Sequence, residues 1–424
     1  MSSTQAEETA DVIVVGAGPA GSTTAFYLAQ AGLDVLLLEK AHFPRDKICG
    51  DGLTPRAVKE LLTMGVDVRG SGWVRSRGLR ACGAGLRVEM DWPDITGYPG
   101  FGLVRTRQDF DHLLAARAQA AGARLHEGTN VTDILLDERT GHARGVVARR
   151  DGVEHRYGAR LVVAADGASS RVAVRMGLQQ RKDRTMGVAV RRYYATDRTS
   201  DDYLECWLDL PDPASSGRRS MLYGYGWLFP VGNGMWNVGV GTVSVHRRPD
   251  IDHRALLRDW TARLPEERQI DEDHATTAVR GHALPGGMSR TPQYTRGVLL
   301  AGDAAGLINP LSGEGIDYAM ESGRFSAEVI VQALARSTAS QCERALNAYP
   351  QLLKDAFGGY FTLGRLVVQA LGNPHLMKFV TAHSLRRPAV ARMMFKLWCN
   401  LIDPRSNDAA DRVMSAVLKA TPAP

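Results

Sequence analysis

Six residues near the start of the chain, Gly16-Ala17-Gly18-Pro19-Ala20-Gly21, have the spacing that lets a backbone wrap a diphosphate. The first glycine makes the turn and the second lets the backbone approach the pyrophosphate. The third lets helix and strand pack closely, so that the phosphates sit at a positive helix N-terminus. Glu39, 23 positions after Gly16, stands where an acid takes a ribose hydroxyl. Cys49 closes the run FPRDKIC before Gly50 and Asp51. Its thiol is either a group that holds or gives a proton or a small buried hydrophobe. Tyr225, Trp227 and Phe229 alternate along YGWLF, so on one strand they share a face. That face lines either a channel for an apolar ligand or an ordinary core.

Such residues need elements to hold them. Asp11–Val15 reads as a buried parallel strand, Ser22–Ala31 as a helix stopped by Gly32, and Val35–Leu38 as a second strand ending at Glu39. The spacing predicts a helix over Asp109–Ala121, with Phe110, Leu113, Leu114 and Ala118 on one face. Buried strands are predicted at Leu161–Ala165 and Val298–Ala301. Residues 76–104 and 186–245 alternate and are rich in Gly, Trp and Tyr, which predicts antiparallel strands. From about residue 314 the pattern is helical to the end. This order predicts an α/β fold: a discontinuous Rossmann-type domain (11–75, 105–175 and 296–335) carrying an inserted antiparallel β-sheet substrate domain (76–104 and 176–295). A C-terminal helical region (336–424) follows.

Two later segments decide which dinucleotide is meant. LVVAADGASSR (Leu161–Arg171) and GVLLAGDAAGLINPLSGEG (Gly297–Gly315) resemble the D-G and G-D motifs of the large FAD-dependent family of aromatic hydroxylases, flavin-dependent halogenases and geranylgeranyl reductases. The resemblance implies FAD as cofactor and an aromatic hydroxylase-like fold. It implies that Asp303 bonds a ribityl hydroxyl and that Gly313, Gly315 and Ile316 lie beside the isoalloxazine. The residues themselves agree. An acid after a buried strand, then small residues and a helix N-terminus, makes a polar-headed slot for a flat, partly anionic ligand. Asp303 also has the character of a helix N-cap. Arg107, in VRTRQDFDHLL, resembles the family's FAD-contacting arginine at the start of a long helix. The same resemblance adds Lys40, Cys49, Gly50, Asp51, Gly52, Val131 and Asp166 to the cofactor set.

Two motifs narrow the family. FPRDKICGD matches P-x-x-K-x-C-G-D, and Tyr225–Gly241 matches Y-x-W-x-F-P followed by G-x-G, both seen in geranylgeranyl reductases. The residues concerned are Tyr225, Trp227, Phe229, Pro230, Gly239 and Gly241. The run RDKICGDGLTPRAVKEL is similar to the actinobacterial menaquinone reductases of that family. The implied activity is saturation of an isoprenoid double bond by reduced FAD, with Cys49, water or the flavin as acid. The alternatives are a geranylgeranyl phospholipid or diphosphate reductase, a flavin monooxygenase or halogenase, and a non-catalytic flavin-binding lipid carrier.

Composition fits a multidomain enzyme. Of 424 residues, 44% are hydrophobic and 23% charged, which excludes a disordered chain. The five cysteines are scattered, which argues against a disulfide framework or a zinc site and for a reducing cytosol. MSSTQAEETA lacks the basic and apolar regions of a signal peptide, and no run of 18 apolar residues exists to span a bilayer. Residues 360–405 hold seven Lys or Arg and one acid, a net +6 equal to that of the whole chain. Interleaved with apolar residues, these charges describe either a surface that rests on anionic lipid or a solvated cap. The expected partners are a prenylated lipid or quinone, an anionic membrane surface and an electron donor. That donor is NAD(P)H docking transiently or another reduced carrier, since no second dinucleotide motif is present. Nucleic acid is not among the expected partners. The expected location is cytoplasmic, peripheral at the inner face of the cell membrane.

Overall fold

The computed structural model describes residues 8–198, 201–212, 221–244, 251–406 and 408–423. The first seven residues of the leader, and residues 199–200, 213–220 and 245 of the β-rich stretch, lie outside the described residues. In chain order the first elements are β1 (Glu8–Val15), α1 (Pro19–Gln30), β2 (Val35–Leu38), α2 (Pro55–Thr63), β3 (Gly78–Gly83), β4 (Leu86–Asp91), α3 (Arg107–Ala120) and β5 (Val153–Ala164). Then come β6 (Met186–Ala195), β7 (Tyr203–Trp207), β8 (Gly224–Gly232), β9 (Met235–Ser244), α4 (His253–Thr261), β10 (Arg280–Pro285) and β11 (Val298–Leu300). Helices close the chain, among them α5 (Ile316–Leu334), α6 (Gly359–Leu371), α7 (Pro374–Leu385), α8 (Pro388–Trp398) and α9 (Ala409–Ala420).

Strands β2, β1, β5 and β11 lie side by side and parallel, with Val12 opposite both Val35 and Leu161. Both faces of this sheet are covered, which is why VVLL-type runs serve as its strands. Leu36 and Leu37 are wholly buried, each worth about 1.5–3 kcal/mol relative to exposure. Helix α1 starts at Pro19, three residues before the predicted Ser22, because proline at the first helical position loses no hydrogen bond. Helix α3 starts at Arg107 rather than Asp109, and the Thr106 hydroxyl caps it by accepting from the Asp109 N–H. The expectation for β5 was too short. Its first half, before Leu161, pairs antiparallel with Ala143–Arg150, which pairs in turn with Thr129–Leu136. Polar residues, among them Arg144, Arg149, Arg150, Arg156 and Arg160, break that excursion into apolar stretches too short to read.

The second sheet has seven strands in the order β10-β6-β9-β8-β7-β3-β4. The predicted antiparallel pattern holds except at one place. Strands β3 and β7 run parallel, because a long crossover brings β7 back alongside β3 in the same direction. One face of this sheet is sealed by α4, whose Trp260 joins a core with Leu228, Trp236, Val238 and Val240. The other face turns toward the first sheet. Register places His282, Ala189, Gly241 and Tyr225 in one row across it. This face is polar at the β10 and β6 end (His282, Arg191, Tyr193) and apolar at the β3 and β4 end (Leu79, Ala81, Met90).

The C-terminal helices cover that apolar end and are tied to the chain between the sheets. The Asn309 amide donates to the Trp398 carbonyl at 3.1 Å, and the Trp398 indole N–H donates to the Leu311 carbonyl at 3.0 Å. Tyr360 donates to the Leu397 carbonyl at 2.8 Å. Arg56 reaches the Asn400 carbonyl from α2. Among the described residues no helix is long and apolar enough to cross a membrane.

Candidate functional site

Between the two sheets lies a cavity of about 560 Å³. The turn after β1 forms one end of it. Gly16 has φ +96°, and a Cβ there would lie 2.5 Å from the Ala165 carbonyl oxygen, so only glycine fits. A Cβ on Gly21 would lie 1.8 Å from the Gly16 oxygen. Gly18 differs: a Cβ would meet nothing closer than the Arg45 guanidinium at 3.9 Å. Its surface is open to the cavity, where the N-terminus of α1 points. Gly16, Gly18, Pro19 and Ala20 line the wall. Ala17 and Gly21 stand behind it as packing.

Glu39 and Lys40 line the same end. The Glu39 carboxylate is buried and accepts from the Ala17 N–H and the Ala41 N–H, both at 3.0 Å, and from Arg45 at 3.2 Å. Arg45 also pairs with Asp111 at 2.8 Å. Sequence reasoning missed Arg45, although it sits inside the quoted FPRDKICGD run. Val131 and Asp166 line the wall nearby. Asp166 accepts from the N–H groups of Arg171 and Val172 through one oxygen, while its buried Oδ1 has no protein partner. Burial pushes its carboxyl above the usual range.

Asp303, Gly313, Gly315 and Ile316 line the far side. Asp303 is the second residue of a short 3₁₀ turn over Gly302–Ala305, which has Ala301 at its N-cap. It is not the N-cap of the long helix, because Gly315 occupies that position before Ile316. The Lys47 ammonium stands 3.9 Å from Asp303, and burial pulls its pKa down, with Asp303 opposing. His282 also faces the cavity with its buried Nε2 free of protein partners. Burial, then Lys47, lowers its pKa, so it is neutral near pH 7.

The 43–51 run forms the roof. Cys49 and Gly50 line the cavity. Burial pushes the Cys49 thiol up, with the neighbouring Arg107 guanidinium opposing, so it keeps its proton at neutral pH. Arg107 lines the cavity at the first turn of α3 and is held bidentate by Asp111, at 2.6 and 2.8 Å. Asp51 points the other way. It is wholly buried and accepts from the Tyr193 hydroxyl at 2.5 Å, the Asn237 amide at 2.7 Å and the Arg107 N–H at 3.1 Å. Burial outweighs those bonds and raises its pKa to about 6. Gly52 packs against the Phe229 ring rather than opening on the cavity.

Tyr225, Trp227 and Phe229 do share a face and line the cavity, with successive ring centres 6.0 and 6.4 Å apart. Gly241 lines it beside them. Gly239 lies under the indole of Trp227, and Pro230 is buried within the sheet facing neither cavity. A second, smaller cavity of about 110 Å³, lined almost wholly by apolar groups of β3, β7 and α6–α8, shares Gly224, Tyr225 and Leu311 with the first. Beneath the floor lies a carboxylate cluster that sequence reasoning missed. Glu314 accepts from Thr54 at 2.5 Å, and Arg56 pairs with Asp317 and Glu321 at 3.2 and 2.7 Å. Burial raises Glu314 to about 7. GEGI carried no signal for this, because Arg56 comes from a distant helix.

The geometry fits a dinucleotide. A glycine turn open to the cavity, an acid with a buried, unpartnered oxygen and a helix N-terminus at each end suit a long, partly anionic ligand. The chain matches the FAD binding domain family over residues 9–342. It belongs to that family. FAD is its cofactor, and it is an FAD-dependent oxidoreductase. It is 37% identical over 411 residues to a menaquinone reductase of Mycobacterium tuberculosis, covering 96% of this chain and 95% of that one. It is 32% identical to digeranylgeranylglycerophospholipid reductase 1 of Methanopyrus kandleri, covering 87% and 92%. The fold is shared with a geranylgeranyl bacteriochlorophyll reductase-like protein of Thermoplasma acidophilum, with TM-score 0.78 and 23% identity over 97% and 99% of the chains. A flavin-dependent brominase shares it at TM-score 0.71 and 20% identity, covering 97% and 99%. The expected resemblance to menaquinone and geranylgeranyl reductases is met by the first two of these relatives.

Proposed function

We propose that this enzyme saturates a carbon–carbon double bond in the isoprenoid side chain of menaquinone. One observation carries the reading: the Tyr225, Trp227 and Phe229 wall lines the dinucleotide cavity, and its Tyr225 end also lines the apolar cavity under α6–α8. A ligand with a long hydrocarbon tail matches that arrangement. Residues 16–21, Glu39, Arg107, Asp166 and Asp303 would hold FAD, with Gly313, Gly315 and Ile316 beside its ring system. When bound and reduced, FAD would supply the hydride and be left oxidised, and the electron donor would reduce it again. The chain supplies the rest. The aromatic rings exclude water and tolerate the positive character an isolated alkene acquires on protonation. Cys49 keeps its proton at neutral pH and stands at the cavity roof, so it serves as the candidate acid. We assign the two sheets to a flavin domain (11–75, 105–175, 296–335) and a substrate domain (76–104, 176–295), with 336–424 closing the tail path.

The same helices offer the route from a membrane. Helix α7 lines the apolar cavity with Met377 and Thr381 and exposes Leu376 and Phe379 outward. Lys378, Arg386, Arg387 and Arg392 are exposed around them. Lys396 is not part of this surface, since it pairs with Asp411 at 2.7 Å. An anionic bilayer at the cytoplasmic face suits both features. The electron donor docks transiently, as NAD(P)H or another reduced carrier.

The test is a single turnover without oxygen. Enzyme reduced by dithionite is mixed with unsaturated menaquinone in vesicles, and the lipid is analysed by mass spectrometry. A gain of two hydrogens in the side chain is expected. Flavin reoxidation with an unchanged side chain would show that only the quinone ring is reduced. Saturation of a geranylgeranyl phospholipid, but not of menaquinone, would move the substrate to the archaeal-type lipid.

A further inference from the structure

Asn237, on β9, is wholly buried, and its side-chain amide joins the roof of the cavity to the aromatic wall. Its Oδ1 accepts from the Trp227 indole N–H at 2.9 Å. Its Nδ2 donates to the Cys49 carbonyl and to Asp51 Oδ2, both at 2.7 Å. Two acceptors stand on one side of the amide and one donor on the other, so a flipped amide would lose all three bonds. Asp51 is itself fixed by the Tyr193 hydroxyl and the Arg107 N–H. The roof also rests directly on the wall: a Cβ on Gly50 would lie 3.4 Å from the Trp227 indole nitrogen. Neither Asn237 nor Tyr193 belongs to the motifs that name the family.

We propose that Asn237 is a positioning residue of the reaction. By holding the Cys49 carbonyl and the Trp227 indole from one amide, it fixes the thiol-bearing loop against the wall along which the prenyl chain lies. This rests on the reading that the wall carries a prenyl chain. A fully engaged buried amide sets geometry more tightly than packing does, and a displacement of about 1 Å costs on the order of 10²-fold in rate.

The variant Asn237→Asp keeps an acceptor for Trp227 but sets a carboxylate oxygen against the Cys49 carbonyl and Asp51. A proton taken up between residues 51 and 237 restores a donor. The facing charged and titratable groups are Asp51, Tyr193, Arg191, Arg107 and Cys49. Flavin content is expected to equal that of wild type, since the turn after β1 is untouched. At pH 8 the rate constant for side-chain saturation should fall at least roughly tenfold, and it should recover in part at pH 6. Alkylation of Cys49 by iodoacetamide, followed on its tryptic peptide, should accelerate several-fold over wild type at pH 8. Tyr193→Phe loosens Asp51 without touching Asn237 and should give a smaller change in the same direction. It carries the test should Asn237→Asp fail to retain flavin. Wild-type Cys49 labelling and saturation kinetics in the folded variant at pH 8 would overturn the proposal. Loss of saturation in wild type itself would instead sink the substrate reading, and the labelling result would stand independently.

Discussion

Gly239 and Trp227 occupy one space: a Cβ on Gly239 would lie 2.2 Å from Cζ2 of the indole and 2.5 Å from the Val190 carbonyl oxygen. The first glycine of the G-x-G pair therefore seats the central ring of the aromatic wall. Gly239→Ala must push the indole off its bond to Asn237 or bend β9. Retained flavin is expected, with prenyl saturation reduced tenfold or more, on the order of 1.4 kcal/mol in the barrier. Wild-type kinetics in Gly239→Ala would show that the ring has room to shift without consequence.

The turn after β1 is tested by Gly18→Val. On the proposed assignment the open face of Gly18 is the space for the pyrophosphate, and a branched side chain there would fill it. The purified variant should fold and show no flavin absorbance. A fully flavinated variant would remove the assignment of this turn.

Asp51 predicts a pH dependence of stability. Its folded pKa of about 6 lies above its ordinary 3.8, so the folded protein holds a proton that the unfolded chain has released. Stability from this group is therefore greatest below about pH 4 and is lost as pH rises through about 6. Asparagine tolerates the φ of +66° at this position. Relative to wild type, Asp51→Asn should gain stability as pH rises from about 4 to about 7, by about 3 kcal/mol at most. Chemical denaturation at a series of pH values measures it. A relative loss over that window would mean that the bonds from Tyr193 and Asn237 outweigh burial.

Cys49→Ala separates chemistry from packing. Flavin binding and reduction should be normal. If the thiol gives the proton, side-chain saturation should slow by about 10²–10⁴-fold. Stopped-flow reoxidation under nitrogen, with product analysis, reads both. An unchanged rate leaves water or the flavin as the acid.

Charge reversal at Arg386, Arg387 and Arg392 should weaken binding to anionic vesicles by about 1 kcal/mol per charge and leave binding to neutral vesicles unchanged. The same reversal at Lys396 should instead damage the fold, because Asp411 would face a like charge. Equal pelleting of wild type and the triple variant would make these residues a solvated cap.

The βαβ start was readable to within three residues, since buried parallel strands are unbroken apolar runs and Pro19 and Gly32 punctuate the helix. The aromatic wall was readable from its period of two. What stayed hidden has a common cause. Asn237, Tyr193, Arg191 and Asp51 lie on three elements, and their bonds depend on the register between β6 and β9 and on a loop 186 positions away. The Arg56, Glu314 and Asp317 cluster likewise forms only when α2 meets α5. The parallel pairing of β3 with β7 was hidden as well, because alternation reports that a strand has two faces and says nothing of its direction.

The family match ends at residue 342, yet across that boundary Trp398 accepts from Asn309 and donates to Leu311, in the very turn that leads into Gly313 and Gly315. The final eighty residues are thus no detachable module. A chimera that borrows them from a relative to change the accepted lipid would also inherit a new set of partners for Asn309 and Leu311. On the proposed tail path, these bonds couple substrate range to the flavin environment, and a library that varies one should carry residues 309–315 along with the other.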